Sequence, residues 1–331
     1  MKADRFQFAV KLQIAILQIN MATANFTGDG EQKTFEQLLC SAGLTEKLSG
    51  QLIFILVLNS FLSVTAFLGN ALILMALHKE SSLHPPPKLL LRNLATTDLC
   101  VGLIAEPLYV TSRISALNEW SMCRYISMAT LITGNILCGV SLMTLAAIST
   151  DRLLALLLGL RYKQVVTLNR VYVIVITFWF VSTVHSAMYI WNPVITFWYG
   201  TTGLPLSLVT SIFSYTKIFY ILRNHQNQIQ DHVQQPNQTN QLNIARYKKA
   251  VSTAIWLQLT LVACYLPLGV VTALVTSGGR SSSLYNAWCY AVTLAYLNSS
   301  LNPILYCWKL EEVRQVVKNT IKQVLCNCFS T

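Results

Sequence analysis

Long runs of hydrophobic residues, separated by shorter polar stretches, recur along most of the chain. A run needs about 20 residues to cross a bilayer as a helix. Seven runs of about this length cover residues 51–77, 89–112, 125–154, 171–191, 203–222, 250–275 and 284–307. Inside lipid each peptide group must be hydrogen-bonded within its own segment, so such runs become helices. The pattern predicts an all-α membrane protein, a seven-transmembrane helix bundle within a domain spanning residues 51–308.

A second pattern follows the last hydrophobic run. Charged residues take one face of a helical repeat, and the apolar residues on the other face are Leu310, Val313, Val316, Val317, Ile321, Val324 and Leu325. This spacing predicts an amphipathic helix on the cytoplasmic membrane surface, within a tail of residues 309–331. Cys326 and Cys328 end it at a depth where acyl chains would reinforce a weak anchor, so both are candidate palmitoylation sites.

Composition and charge agree with this reading. The chain is 53% hydrophobic and 11% charged, whereas soluble domains carry about 25% charged residues. The net charge of +11 comes mainly from the loops after runs one, three, five and seven, which the positive-inside rule places in the cytoplasm. We therefore predict a multi-pass plasma membrane protein with its N-terminus outside and its C-terminus inside. The basic charge is a topology signal that also suits acidic membrane lipids, and we predict no nucleic-acid partner.

Residues 1–50 are predicted to form an extracellular N-terminal segment. Residues 1–24 have a basic start and a weakly apolar stretch, which is either a signal peptide or sequence upstream of a true start at Met21. Asn25 begins an Asn-Phe-Thr triplet and is a candidate glycosylation site. Between runs five and six, a Gln- and Asn-rich stretch predicts a flexible cytoplasmic loop with helical extensions at either end.

Asp98 is the clearest polar residue within a hydrophobic run. A charged side chain in mid-membrane usually faces the bundle interior and has a function. Small polar residues of other runs could join it, and with Asn70 nearby the candidate set is Asp98, Ser141, Asn298, Ser299 and Asn302. These side chains predict an oxygen-lined site for sodium; the alternative is a protonated Asp98 that only links helices.

Prolines within the runs predict kinks, because each removes a backbone hydrogen bond. The most informative are Pro107, Pro267 and Pro303. Pro267 and Pro303 lie in consecutive runs, and Asn302 and Tyr306 flank the second. A kinked helix can swing its cytoplasmic half, so this pair favours a conformational switch.

Taken in order, these features resemble the rhodopsin-like (class A) G-protein-coupled receptors over residues 52–328. The shared motifs are Gly69-Asn70, Asn93-Leu94-Ala95 with Asp98, Asp151-Arg152, Leu160-Arg161-Tyr162, Trp179, Tyr215, Cys264 with Pro267, and Asn302-Pro303-Ile304-Leu305-Tyr306. The resemblance implies a receptor that binds an extracellular ligand and activates a heterotrimeric G protein, with arrestin as a further partner.

The resemblance also implies an activation mechanism. Asp151 would hold Arg152 at rest, and Arg152 would extend when the inner half of span six moves away. The implied switch residues are Asp151, Arg152, Tyr215, Tyr265, Pro267, Asn302, Pro303 and Tyr306.

Several positions depart from the family's pattern. Leu153 follows Arg152 in place of Tyr, Gly159 replaces a usual Pro, and Tyr265 replaces the Trp at the base of the ligand pocket. At the base of span six, Tyr247 stands where many relatives have an acidic partner for Arg152. We therefore expect a weak resting lock and appreciable activity without agonist.

The cysteines depart further. Relatives usually join the top of span three to the second outer loop by a disulfide, but the predicted outer loop at residues 191–203 has no Cys. Cys40, Cys123 and Cys289 are the disulfide candidates on the outer side, with Cys40 pairing to either of the other two. The sequence does not select the pairing.

Ligand predictions rest first on two exclusions. Gly134 stands where amine receptors carry an Asp, and Tyr296 stands where opsins carry the retinal-binding Lys. Residues of the outer half of the bundle are candidate pocket walls. Beside Arg113 and Tyr285, they are Glu106, Thr130, Asn135, Cys138, His185, Tyr189, Trp191, Tyr265, Thr272, Trp288 and Tyr296. Melanocortin, cannabinoid and lysolipid receptors are similar in lacking the outer-loop disulfide, which slightly favours a lipid or short peptide.

Other classes fit less well. A transporter or channel would need internal repeats, paired broken helices or a ring of charges. A membrane enzyme would need metal-ligand spacing, an activated nucleophile or a phosphate-binding loop, and the sequence has none of these. The strongest alternative is a seven-helix receptor that does not signal, which the departures above would favour.

Overall fold

The computed structural model of the chain describes residues 40, 49–79, 84–118, 120–191, 193–232, 256, 259–274, 282–309, 314–315 and 317–319. Within these residues seven long helices follow one another, labelled α1–α7. Their bounds are Ser49–Lys79, Pro85–Leu117, Cys123–Leu158, Leu168–Trp191, Pro193–His232, Leu259–Leu274 and Ser282–Lys309. Each overlaps one predicted hydrophobic run in the same order, so the seven-helix bundle is confirmed.

The exterior of the bundle is apolar. In the described part of the chain, four helices are long and apolar enough to cross a membrane: Gly50–Lys79, Pro85–Leu117, Cys123–Leu158 and Leu168–Ile190. Large side chains such as Phe61, Phe180 and Leu206 are each more than 60% exposed on the outer surface. An apolar surface of this extent suits contact with lipid, and the chain is a multi-pass membrane protein.

Helix α3 lies at the centre of the bundle. It packs against α2, α4 and α5, while α1 packs against α2 and α7. One apolar cluster, which includes Leu94 and Leu145, fills the inner half. A second, which includes Tyr109 and Trp288, fills the outer half. Polar side chains buried between and beside these clusters therefore stand out as candidates for function.

Helix α2 changes its geometry at the predicted proline kink. Val101–Ala105 forms a π turn, in which the Glu106 N–H bonds to the carbonyl of the first residue of the turn. Pro107 lacks an N–H, and its ring clashes with the carbonyl one turn earlier. The extra residue of the π turn accommodates this and rotates the outer half of the helix. As a result Tyr109 and Arg113 face inward and are fully buried.

The prediction of an outer loop at residues 191–203 is wrong. Helix α4 ends at Trp191 and α5 already begins at Pro193. Proline is pre-organised for the first position of a helix, and the apolar residues that follow continue it. The predicted extension of span five into the cytoplasmic loop is present, because α5 runs on to His232.

Gly159 ends α3 with a positive φ of 51°. Side chains other than glycine rarely adopt this conformation, so the residue acts as the helix cap. A single turn at Gly159–Arg161 and another at Tyr162–Val165 then fold the chain back under the bundle. This replacement of the family's usual proline therefore has a local structural reason.

The predicted cytoplasmic helix lies largely outside the described residues. Residues 314–315 and 317–319 are helical. Val317 is buried against the inner apolar cluster, while Arg314 and Lys318 are exposed. The described residues therefore have the predicted two-faced arrangement; Cys326 and Cys328 lie beyond them.

Candidate functional site

The Asp151–Arg152 pair lies near the C-terminal end of α3, the end that the sequence predicts to face the cytoplasm. Asp151 is buried, whereas the Arg152 side chain is 49% exposed. Arg152 Nε lies 3.9 Å from Asp151 Oδ2, at the outer limit of an ion pair. A half-exposed pair at this distance is weak, so Asp151 does not hold Arg152 firmly.

Tyr162 contacts the other carboxylate oxygen of Asp151. Its hydroxyl donates to Asp151 Oδ1 at 2.6 Å. Burial and this hydrogen bond raise the pKa of the Tyr162 phenol above its ordinary value of about 10. In the sequence Tyr162 stands out only as part of a motif, which does not indicate this contact. The signal is its position three residues beyond the glycine cap, where the chain turns back toward α3.

Tyr215 lies on α5 beside the same end of α3. It packs against the small apolar cluster of Leu153 and Ile218, and it interacts with Ser149 and Arg152. This position connects α5 to the Asp151–Arg152 pair. Tyr306 falls within α7, and Tyr247 lies outside the described residues.

Asp98 forms a buried hydrogen-bonded centre between α2, α3 and α7. Its Oδ1 accepts bonds from the hydroxyls of Ser299 at 2.8 Å and Ser141 at 3.2 Å. Its Oδ2 accepts one from the Asn302 amide at 2.7 Å. Asn298 does not join this set: it is buried, and its Nδ2 has no hydrogen-bond partner among the described residues. The structure therefore brings four of the five predicted residues together.

Two further polar contacts tie this centre to neighbouring helices. Asn70 on α1 donates to the backbone carbonyl of Ser299 at 3.0 Å. Asn93 on α2 donates to Thr144 at 2.8 Å and accepts from the Trp179 indole at 2.9 Å, which joins α2, α3 and α4. The motif residues at these positions therefore serve as interhelical links.

A large cavity opens beside α3. Its volume is about 760 Å³. It reaches from the level of Thr130 to that of Asp151, about 30 Å along the helix at 1.5 Å per residue. Side chains of α3, α4 and α5, such as Met143, Phe178 and Leu206, form its long apolar part.

Most of the predicted pocket residues line this cavity. They are Thr130, Asn135, Cys138, His185, Tyr189, Tyr265, Thr272, Trp288 and Tyr296. Glu106, by contrast, is fully buried and lies outside the lining, and the side chain of Trp191 is outside the described residues. The sequence analysis missed the lower part of the cavity, because a groove between apolar helices has no polar signature.

Tyr265 connects the cavity to the Asp98 centre. It lines the cavity and is almost fully buried. Its side chain lies beside Ser141, whose hydroxyl donates to Asp98. The substitution of the family's usual Trp therefore places a phenol next to the Asp98 centre.

Arg113 is fully buried at the outer end of α2. Its guanidinium donates two hydrogen bonds to Ser112 and one to the Tyr285 hydroxyl. The rings of Tyr109, Tyr285 and Trp288 lie 5.6, 5.9 and 6.0 Å from its central carbon, within cation–π range. The cation is therefore stabilised by hydroxyls and aromatic rings that join α2 to α7.

The structure pairs Cys40 with Cys123, at a Cα–Cα distance of 6.1 Å. Cys289 is free and buried. The bond ties the N-terminal segment to the first residue of α3, the helix that the family's usual disulfide also anchors. Of the two pairings that the sequence left open, this geometry selects one.

A seven-helix membrane bundle with an Asp-Arg pair near the C-terminal end of α3 and a buried acidic centre is the architecture of a transmembrane receptor. A sequence profile of the family described as 7 transmembrane receptor (rhodopsin family) matches residues 69–192 and 185–306. The chain therefore belongs to this family, the class A G-protein-coupled receptors. Members of the family are ligand-binding receptors and not enzymes.

Known receptors match most of the chain at low identity. Adenosine receptor A2b of Gallus gallus is 24% identical over 313 residues, which cover 82% of this chain and 89% of the relative. Adenosine receptor A3 of Ovis aries is 25% identical, with coverage of 80% and 89%. Melanocortin receptor 4 of Danio rerio is 24% identical, with coverage of 80% and 82%.

Proposed function

We propose that the protein binds an extracellular ligand in the cavity and activates a heterotrimeric G protein through the cytoplasmic ends of α3, α5, α6 and α7. The observation that carries this proposal is the state of Arg152. It is half exposed at the membrane edge, and its partner Asp151 also accepts a hydrogen bond from Tyr162. A loosely held cation at this place can extend to a cytoplasmic partner at small cost.

A chain of contacts supports signal transmission from the cavity. Tyr265 lines the cavity and lies beside Ser141, Ser141 donates to Asp98, and Asp98 accepts from Asn302. Asn302 precedes Pro303 within α7. A ligand that moves Tyr265 would therefore alter the bonds at the proline kink of α7, which leads to the cytoplasmic face.

We also propose elevated activity without agonist. The ion pair at Arg152 is long and exposed, and the sequence offers Tyr247 rather than an acidic residue at the base of span six. Few interactions would then oppose the active arrangement, and its resting population would rise.

The ligand is proposed to be a lipid or a short peptide. Receptors named for adenosine and for melanocortin match the chain about equally, at 24–25% identity. Their names do not select one ligand, so the proposal rests on the residues that line the cavity. Its long apolar part suits an acyl chain, while its outer part, with Thr130, Asn135 and His185, offers polar groups to a peptide. Gly134 and Tyr296 still argue against a monoamine and retinal.

A sodium ion is proposed at Asp98. The carboxylate lies with the hydroxyls of Ser141 and Ser299, and the buried Oδ1 of Asn70 has no donor. Hard monovalent cations prefer such oxygen ligands, so the residues fit the ion. Bound sodium would neutralise the buried charge and favour the resting state.

Placement in the plasma membrane, an extracellular N-terminus and an arrestin partner remain proposals. The N-terminal glycosylation site at Asn25 and the palmitoylation sites at Cys326 and Cys328 lie outside the described residues.

The test is nucleotide exchange on a panel of purified G-protein α subunits, with membranes that contain the full-length receptor and no added ligand. Wild type is expected to exceed empty membranes, and Arg152→Ala to abolish the excess at matched expression. Arg92→Ala removes an exposed cation near the cytoplasmic end of α2 and is the control, expected to behave as wild type.

Buffers with sodium or choline chloride extend the same assay. Sodium is expected to lower the wild-type signal but not that of Asp98→Asn. Wild-type exchange no higher than empty membranes would contradict elevated basal activity. Exchange that survives Arg152→Ala would contradict the proposed switch.

A further inference from the structure

Glu106 is a buried carboxyl group that has no partner among the residues the structure describes. The residue is fully buried, and within that part of the chain neither Oε1 nor Oε2 accepts a hydrogen bond. Buried polar groups are nearly always hydrogen-bonded, and a carboxyl left without a partner destabilises the fold. Glu106 therefore lacks the contacts expected of a residue that serves the fold alone.

The backbone places this carboxyl toward the interior. Glu106 is the first residue after the π turn Val101–Ala105 and donates its N–H back across that turn. π turns in helices are frequent at functional sites. Without the extra residue of the turn, the outer half of α2 would present a different face to the bundle.

The carboxyl lies close to the cavity wall. It lies within electrostatic range of Cys138 on α3 and Tyr296 on α7, and both of these residues line the cavity. Glu106 itself is not part of the lining. A ligand group that reaches Glu106 from the cavity must therefore be narrow and must lie at the end of a longer molecule.

Arg113 does not neutralise Glu106. It lies seven residues further along α2, about 10 Å away at the rise of a helix. Its hydrogen bonds go to Ser112 and Tyr285. A divalent metal ion is also a poor partner, because the described residues contain no cluster of three or more metal-binding side chains.

We propose that Glu106 binds a positively charged group of the receptor's ligand, an ammonium or guanidinium at the end of an extended chain. A lysine or arginine side chain of a short peptide has this form. The aromatic rings of Tyr109 and Tyr296, whose centroids are 5.8 Å apart, would add cation–π attraction. The inference rests on the proposed ligand-binding function and narrows its ligand to a cation.

The first test measures binding without any G protein. The full-length receptor in lipid nanodiscs is heated with a positional-scanning library of N-acetylated tripeptide amides, which carry charge only on their side chains, and separately with agmatine and phenethylamine. Pools with Lys or Arg at one position are expected to raise the melting temperature of wild type. Glu106→Gln is expected to weaken this binding at least tenfold, and Glu106→Asp less. Thr111→Ala, on the exposed face of α2, is the control and should bind as wild type.

A second measurement separates a ligand site from a structural role. Without any probe, Glu106→Gln is expected to melt at or above the wild-type temperature, because it removes an unpartnered buried acid. A clear fall would show that the carboxyl supports the fold and would overturn the proposal.

The binding outcomes are also decisive. Stabilisation by agmatine or phenethylamine alone would support the cation site but assign it to a small amine. Equal stabilisation by acidic or neutral pools, no stabilisation by any cationic probe, or unchanged binding to Glu106→Gln would each overturn the proposal. Since no step needs a G protein, binding without nucleotide exchange would contradict the proposed signalling and leave this inference intact.

Discussion

Tyr162 shows how a single loop residue shapes the cytoplasmic end of the receptor. Its hydroxyl holds Asp151, and its ring lies 5.9 Å from that of His84 at the start of α2. The loop after α3 is thereby fastened to the residue that neighbours Arg152. Movement of this loop would alter the hydrogen bond from Tyr162 to Asp151, and with it the electrostatic attraction between Asp151 and Arg152.

Tyr162→Phe removes this hydrogen bond and nothing else. We expect it to lower the free energy of unfolding by about 1.5 kcal/mol, the low end for a hydrogen bond to a charged group, because the bond is only partly buried. The pKa of Tyr162 is raised in the folded state, so the bond contributes fully below the ordinary pKa of about 10 and is lost at higher pH. Thermal unfolding should show a constant difference from wild type between pH 6 and 9 that shrinks above about pH 10. Tyr172→Phe, on the exposed face of α4, should match wild type, and a difference that vanishes near neutral pH would contradict the assignment.

Charged residues within the apolar runs could each be predicted from the sequence as functional candidates. Asp98 and the Asp151–Arg152 pair stand out because the surrounding sequence is apolar. The partners were harder to find: Ser141 and Ser299 lie 43 and 201 residues from Asp98, and only motif order suggested them. Nothing local marks Ser112 and Tyr285 as the partners of Arg113, since that contact depends on how α2 rotates.

At the scale of helices, close approach between α1 and α2 depends on Gly102. A β-carbon here would lie 2.7 Å from the backbone N of Phe67 and the carbonyl of Ser63. The Ser63 hydroxyl also donates to the Gly102 carbonyl at 2.6 Å. The two helices thus meet backbone to backbone at the π turn.

Gly102→Ala is therefore expected to force α1 and α2 apart. Overpacking of this kind typically costs about 1–3 kcal/mol, and it should appear as a lower melting temperature and lower surface expression. Gly50→Ala, where a β-carbon meets nothing within 4 Å, is the matched control. Equal stability of the two variants would show that α1 and α2 can move apart without any loss of stability.

The number and order of the helices could be predicted from hydropathy, but their ends and their irregular turns could not. The sequence predicts a kink at Pro107, while the actual response is a π turn that precedes it. The start of α5 at Pro193 was missed, because a polar Asn-Pro pair predicts a loop as readily as a helix start. Such choices depend on how neighbouring helices pack, which one-dimensional patterns do not contain.

For the whole molecule, the Cys40–Cys123 bond closes a loop of 83 residues. This loop contains the whole of α1 and α2. It thus restricts the unfolded chain strongly and fixes Cys40 to the first residue of α3.

Removing this bond should destabilise the receptor by about 2–4 kcal/mol. Cys40→Ser, Cys123→Ser and the double variant should lose the same amount, because each breaks the same bond. A reductant should lower the melting temperature of wild type and leave the double variant unchanged. Unequal losses in the two single variants would indicate a different pairing.

The overall fold was predictable because the bilayer demands long apolar helices, and the family's motifs fix their order. The cavity was predictable only in its outer part, where polar side chains mark the wall. Its groove along α3, α4 and α5 arises from the spacing of helices, and the unpartnered state of Glu106 becomes visible only once all neighbours are in place.

The π turn in α2 has a consequence for how receptors of this kind diverge. Deleting one residue from Val101–Ala105 would restore a regular helix and turn its outer half by about 100°. Glu106, Tyr109 and Arg113 would then rotate away from the interior together, although none had been substituted. One small genetic event could thus exchange the entire set of α2 side chains offered to a ligand, and residue-by-residue alignment across this turn would pair positions that face different surroundings.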